Sequence, residues 1–278
     1  MQITPLGILA GMPSDGQGSS GYLVETPSSR LLLDAGPGTA LSLSRYLTKQ
    51  TLDAVFISHQ HSDHIYDLLP LGKMLLNHRL YRDEHTGQLA VNEAVAPVPL
   101  FVPRGALVVL QQLAQLFPVT THPLLDRSFD LAFDVHEYEP GETHTVGDLA
   151  LRFELLKHVS PNCGIRVESG PDSLVYTGDT GVTDALPALA EGAGTLLSEC
   201  TLRETDRSGH GHLTAIEAAE AARDAGVAEL VLTHFSSTDP ADHTWHQDRA
   251  SGVFAGPVRV TQPTVPLTIS ATQKKVPA

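Results

Sequence analysis

Apolar runs of strand length, separated by Gly, Ser and Pro, open the chain. Residues 1–6, 21–25 and 30–34 are the first such runs, and the turn-forming residues between them predict a small β-meander. The segment AGPGTALSLSRYLTK that follows Asp34 predicts a turn and then a helix. Residues 53–58, DAVFIS, are almost continuously apolar, the pattern of a buried strand, and that strand ends immediately before His59.

Helical spacing returns at about 66–80 and 105–116, with a short strand at 100–102 between them. Residues 81–99 lack a clear period and read as a loop facing substrate or a second subunit. Runs at 134–139, 149–156, 164–168 and 173–177 predict a second meander. Helices at 184–191 and 214–225 then alternate with strands at 195–199 and 229–233. Meanders followed by αβ units predict an α/β protein with two mixed sheets sandwiched between helices. Residues 1–262 read as one domain, and 263–278 as a strand end and a Thr- and Pro-rich tail whose last eight residues are mobile.

Composition changes this picture little: 278 residues, 41% hydrophobic and 18% charged, suffice for one domain with a sizeable core. No stretch nears the ~20 apolar residues that cross a bilayer. The opening MQITPLGILAGMPSDG has no basic region before its short apolar run, so neither a membrane span nor a leader is expected. Two cysteines, Cys163 and Cys200, are too few for a disulfide framework and are compatible with the cytoplasm. With 18 Lys+Arg against 32 Asp+Glu, a net charge of −14 repels long polyanions such as nucleic acid.

Fourteen histidines are many for this chain, and imidazole is the commonest side-chain metal ligand. They are densest in His59-Gln60-His61-Ser62-Asp63-His64. An i, i+2 pair of imidazoles on a loop at a strand end can grip one ion, while Asp63 and His64 turn towards a second. Asp67, three residues further on, either flanks the site or caps the next helix. The turn at 15–21, DGQGSSG, reads as a hairpin loop, with backbone N–H groups for a phosphate as the alternative. His78, His85, His122, His136, His144, His243 and His246 read as surface or satisfied core residues, and His210 as an exposed loop residue.

His-x-His-x-Asp-His after an apolar strand resembles the metal-binding motif of the metallo-β-lactamase fold superfamily. The resemblance continues, in that family's order, at Asp34 in LLLDAGPG, His158 in LLKHVSPNCGIRV, Asp179 in VYTGDTG and His234 in LVLTHFS. His212 in GHLTAIEAAEAA is similar to the extra histidine of the ribonuclease Z and phosphodiesterase branch. The resemblance implies a four-layer αβ/βα sandwich and two metal ions, normally zinc, with manganese or iron as alternatives. It implies that His59, His61 and His158 hold one ion and Asp63, His64 and His234 the other, with Asp179 and a hydroxide bridging both. Asp63 would also act as acid/base. Asp34 would orient an imidazole from behind. His212 would stabilise the transition state or protonate the leaving oxygen.

The fold does not fix the substrate, because this superfamily resemblance is compatible with phosphodiesters, lactones, thioesters and β-lactams. The Thr-Gly-Asp-Thr context of Asp179, His212 before a helix and His234-Phe-Ser resemble the ribonuclease Z-like branch and imply a phosphodiester. Only 179 − 158 = 21 positions separate His158 from Asp179, too few for the long basic arm that bacterial ribonuclease Z inserts there. A small phosphodiester such as a cyclic nucleotide is therefore expected as substrate, with a homodimer left open. The runner-up is a lactone or thioester hydrolase on the same site, and the third alternative a metal-dependent binding module without turnover.

Overall fold

The computed structural model describes residues 1–47 and 51–272. In chain order, the first half comprises β1 (Gln2–Gly7), β2 (Gly21–Glu25), β3 (Arg30–Leu33), α1 (Thr39–Leu43), β4 (Ala54–Phe56), α2 (Ser62–Ile65), α3 (Leu68–Arg79), β5 (Leu80–Arg82), β6 (Leu89–Val91), β7 (Val98–Pro103), α4 (Ala106–Gln115) and β8 (Phe133–Tyr138). The second comprises β9 (Thr143–Val146), β10 (Leu149–Leu156), β11 (Asn162–Ser169), β12 (Asp172–Tyr176), α5 (Ala185–Ala190), β13 (Thr195–Glu199), α6 (Ala215–Ala225), β14 (Glu229–Thr233), α7 (Pro240–Ser251), β15 (Val258–Val260) and β16 (Leu267–Thr268).

Two seven-stranded sheets result, ordered β16-β1-β2-β3-β4-β7-β8 and β15-β14-β13-β12-β11-β10-β9. Each begins as an antiparallel meander and turns parallel, at β3–β4 in the first and at β12–β13 in the second. Side-chain alternation along the strands sends Tyr22, Val24, Leu31, Leu33 and Phe56 inwards, against Leu151, Phe153, Ile165, Tyr176 and Leu197 of the other sheet. Phe56 is central to this layer, stacked on Phe153 and Tyr138 with centroids 5.0 and 5.4 Å apart. Leu23, Leu32 and Val55 face outwards onto Leu43 of α1, Leu71 and Leu75 of α3 and Leu110 of α4. Leu196, Leu230 and Leu232 likewise meet Leu186 of α5, Ala218 and Ala222 of α6 and Ala250 of α7. Central strands buried on both faces explain the unbroken apolar runs in the sequence, and the layering is the expected αβ/βα sandwich.

Several elements differ from the sequence reading. The helix expected from 66 starts at Leu68, because the metal-motif residues form their own short helix, α2, closed by Tyr66 N–H donating to Ser62 O. Helix α7 was not expected: its buried side includes Asp242, His243 and His246, so apolar periodicity misses it. Its start is nevertheless written in the sequence, since Asp239 accepts from Ala241 N–H and Pro240 occupies the first turn. Within 81–99 lies part of a hairpin, β5–β6, whose turn is organised by the Asp83 carboxylate accepting from His85 and Thr86 N–H; three-residue strands are too short to show a period. The short edge strands β9 and β15 escaped because they too are brief, whereas β16 is the strand end expected within 263–278. Thr48 and Lys49 of the expected first helix, and 273–278 of the expected tail, lie outside the described residues, whereas β16 pairs with β1 and Thr272 N–H donates to Pro171 O. Among the described residues no helix is long and apolar enough to cross a membrane.

The loop after β3 is pressed onto α2: Ala35 N–H donates to His64 O at 2.7 Å, and a Cβ on Gly36 would lie 1.9 Å from the Asp63 carbonyl oxygen. Gly36→Ala should therefore lower the stability measured by urea unfolding by about 1–3 kcal/mol, the range for overpacking a filled interior. An unchanged midpoint would show that this contact can relax.

Candidate metal centre

All the sequence-predicted metal ligands converge at one place, outside the carboxyl ends of strands from both sheets. Asp34 follows β3, and His59 lies just beyond β4. Asp179 follows β12, and His234 follows β14. Such ends are where open α/β sheets bind ligands. Two of these residues leave their strands with a left-handed backbone, Asp34 at φ 57° and His234 at φ 59°. Non-glycine residues rarely adopt that conformation, which costs about 1–3 kcal/mol.

Two groups of donor atoms share Asp179: His59, His61, His158 and Asp179, and Asp63, His64, Asp179 and His234, each with its atoms within 4.8 Å of one another; His158, His210 and His212, and Glu199, His212 and His234, form two further groups beside them. In the first, His158 Nε2 lies 3.2 Å from His61 Nδ1, and Asp179 Oδ2 lies 3.6 Å from His59 Nε2. In the second, His64 Nε2, His234 Nε2, Asp63 Oδ2 and Asp179 Oδ1 approach one another at 3.2–3.6 Å. A cation at about 2.0–2.1 Å from four tetrahedral donors sets those donors about 3.3 Å apart.

For four of the five imidazoles, a hydrogen bond on the far side fixes the tautomer. His64 Nδ1–H donates to Asp34 Oδ2 at 2.6 Å, and His158 Nδ1–H to Gly211 O at 2.9 Å. Ser58 Oγ gives its proton to Asp34 and so accepts from His59 Nδ1–H, 3.0 Å away. Thr201 Oγ1 gives its proton to Glu199 and accepts from His234 Nδ1–H at 2.8 Å. Each of these four rings then turns an Nε2 lone pair inwards. Lone pairs face one another at hydrogen-bond distance, and His59 Nε2 and Asp179 Oδ1 are buried without a hydrogen-bond partner. A divalent cation fits such a donor set, and polar atoms buried unpaired are otherwise costly.

The electrostatics agree. Burial alone would raise the Asp179 carboxyl, but His234, His64 and His59 hold it well below the carboxylate range. Asp63 is likewise kept low by His234 and His64 against the opposing effect of burial. Burial would lower His64, yet the carboxylates of Asp179 and Asp34 raise it well above an ordinary histidine, a sign that the pocket favours positive charge. Burial drives His59 well down.

Of the residues predicted to act around the ligands, Asp34 is fully buried and accepts from Ser58 N–H, Ser58 Oγ–H, His64 Nδ1–H and Tyr176 O–H at 2.6–2.8 Å. Asp63 accepts from Gly11 N–H at 2.7 Å. His212 stands beside the cluster, its Nδ1 2.9 Å from Glu199 Oε1 and 4.0 Å from Asp179 Oδ2. Burial would lower His212, but the Glu199 carboxylate outweighs it and lifts the imidazole to about 9. Asp67 does neither thing expected of it: its carboxylate accepts from Gly38 and Ala40 N–H and so serves the start of α1, not of the helix that follows it. In the 15–21 turn, Gln17 N–H donates to Ser14 O, as a hairpin loop requires.

Sequence reading missed Glu199, Ser58, Thr201 and Tyr176. Glu199 is fully buried at the end of β13 and serves His212 directly and His234 through Thr201. Its only signal is an acidic residue closing an apolar strand. His210 is exposed on a loop, as expected, and lies 5.1 Å from both His158 and His212 between ring centroids.

The beta-lactamase superfamily domain profile matches residues 29–235, which contain every residue of both donor groups. The chain belongs to the beta-lactamase superfamily. Its relatives include the probable metallo-hydrolase YhfI of Bacillus subtilis, 28% identical over 94% of this chain and 97% of the relative. The crystal structure of that metallo-beta-lactamase fold protein superposes with a TM-score of 0.78 at 25% identity, covering 96% of this chain and 98% of the other. An uncharacterized protein of Mycobacterium leprae is 30% identical over 93% of this chain and 85% of its own. A ribonuclease Z of Myxococcus xanthus is 28% identical over 94% and 95%.

Removing the support behind His64 tests the donor arrangement. Asp34→Asn should weaken metal affinity about 10–100-fold, the usual effect of losing a carboxylate behind a ligating histidine. Competition with a chromogenic chelator measures it, and wild-type affinity in the folded variant would remove Asp34 from the metal centre.

Proposed function

We propose that the chain is a dinuclear phosphodiesterase acting on a small phosphodiester such as a cyclic nucleotide. The observation that carries this reading is His212, whose Nδ1 stands 2.9 Å from the Glu199 carboxylate, a contact that raises its basicity, beside the carboxylate shared by both donor groups. With Nδ1–H committed to Glu199, its Nε2–H is free to protonate a departing alkoxide, which phosphodiester cleavage requires. The ribonuclease among the relatives supports the same bond class.

His59, His61, His158 and Asp179 would hold one ion, and Asp63, His64, His234 and Asp179 the other; an imidazole-rich donor set suits zinc, with manganese or iron as alternatives. Two such ions supply Lewis acidity at the phosphoryl oxygens and a lowered pKa for water. Asp63 takes the proton released as water attacks phosphorus, with Gly11 N–H holding its carboxylate in place. The bond to the leaving oxygen breaks as His212 delivers its proton, and Asp34 keeps His64 in the tautomer the site needs. The buried, unpaired Cys163 and Cys200 suit a cytoplasmic enzyme.

Metal analysis and turnover on one preparation test the reading, using bis-p-nitrophenyl phosphate, 2′,3′- and 3′,5′-cyclic nucleotides, a lactone and a thioester. Phosphodiester hydrolysis with two bound ions is expected; acyl hydrolysis alone would transfer the site to the runner-up. His61→Ala should lose metal and activity together. His212→Ala should keep both metals and lose about 10²–10⁴-fold in kcat, the range for a general acid. Equal metal loss in the two variants would make His212 a ligand instead.

A further inference from the structure

One lip of the site is assembled from three loops, around 157–159, 181–182 and 209–211, the first of which also carries His158, whose ring lies with those of His210 and His212 in a group with nitrogens within 4.8 Å of one another. The backbone of 209–211 is fixed with unusual care. Gly209 and Gly211 adopt φ 77° and 95°, and a Cβ on Gly211 would lie 2.6 Å from Lys157 O and 2.9 Å from His158 Cα. The Asp206 carboxylate accepts from Ser208 N–H and Gly211 N–H, both at 2.7 Å, and Val159 N–H donates to His210 O at 2.8 Å. Gly181 N–H donates to Lys157 O at 2.7 Å, and a Cβ on Gly181 would stand 3.1 Å from Gly211 Cα, so the third loop is locked onto the other two.

All this ordering presents three side chains to solvent: exposed His210, Val159 at 60% and Val182 at 59% exposure. The imidazole of His210 is nearly parallel to those of His61 and His212, with interplanar angles of 25° and 22° and centroids 5.8 and 5.1 Å apart. Single exposed valines are unremarked on most surfaces, but here both lie on segments locked to the His210 loop, Val159 through its N–H to His210 O and Val182 next to Gly181, which packs on Gly211. Parallel rings at the mouth of a site extend naturally by one more planar ring.

We propose that His210, Val159 and Val182 form a subsite for a planar aromatic group, the non-reacting part of the substrate, of which a nucleobase is the matching chemistry. The inference rests on the phosphodiesterase reading for the phosphate end and adds what holds the other end. His210 is a binding residue that touches the substrate away from the reacting atoms, and its contribution falls on affinity.

Adenosine 5′-monophosphate and ribose 5-phosphate carry the same phosphate with and without a base, so their affinities for the metal-loaded protein, by calorimetry, isolate the subsite from turnover. The adenosine compound should bind about 5- to 150-fold more tightly, the range for a base stacked on an aromatic side chain. His210→Ala should shrink that gap to less than about threefold at unchanged metal content, and His210→Phe should restore it. Val182→Ser, which leaves the 209–211 loop untouched, should narrow it as well. Equal binding of the two compounds by the wild type overturns the proposal, as does an equal loss of both in His210→Ala. A base-dependent gap that survives in both His210→Ala and Val182→Ser overturns it too. If the gap and its loss appear while no phosphodiester is hydrolysed, the subsite stands and the substrate reading falls; phosphodiester hydrolysis without a gap gives the reverse.

Discussion

A carboxylate buried between two sheets is expensive unless it is hydrogen-bonded, and Asp34 accepts four hydrogen bonds, one at Oδ1 and three at Oδ2. Ser58 and His64 come from the segment after β4 in the first sheet, and Tyr176 from the last residue of β12 in the second. The same group therefore joins the sheets and sets a ring at the metal centre. Its left-handed backbone directs the carboxylate back between the sheets. Strain of this kind persists where the surroundings over-determine it, as the contacts of Ala35 and Gly36 with α2 do.

The position of the site follows from topology. Each half of the chain runs an antiparallel meander and then turns parallel, so each sheet presents several strand ends in one direction. Where the sheets face each other, those ends supply side chains from both: His59 and His64 beyond β4, Asp179 and His234 beyond β12 and β14. Neither half holds a full donor set alone, since Asp179 belongs to both groups.

The sequence made the candidate ligands legible because their chemistry is local and dense: four ligand-type side chains within six positions after an apolar strand. The central strands were equally plain, since burial on both faces leaves uninterrupted apolar runs such as LLL at 31–33 and AVFI at 54–57. What stayed hidden is what depends on packing at a distance. Glu199, Thr201 and Tyr176 look like ordinary strand or loop residues until the sheets stack and bring them behind the imidazoles. Helix α7 buries histidines and an aspartate where aliphatic residues would have announced it, and Asp67 reaches back to Gly38 across 29 positions.

The donor groups have one more meaning, as joints in the chain. Their members run from His59 to His234, from the first sheet to the second. An ion bound by either group would act as a clasp between segments that the covalent chain keeps far apart, removing freedom from the unfolded chain as a cross-link does. Because such an ion binds the folded form alone, its free concentration would weigh on the balance between folded and unfolded protein. Metal supply would then govern the persistence of the enzyme as well as its rate.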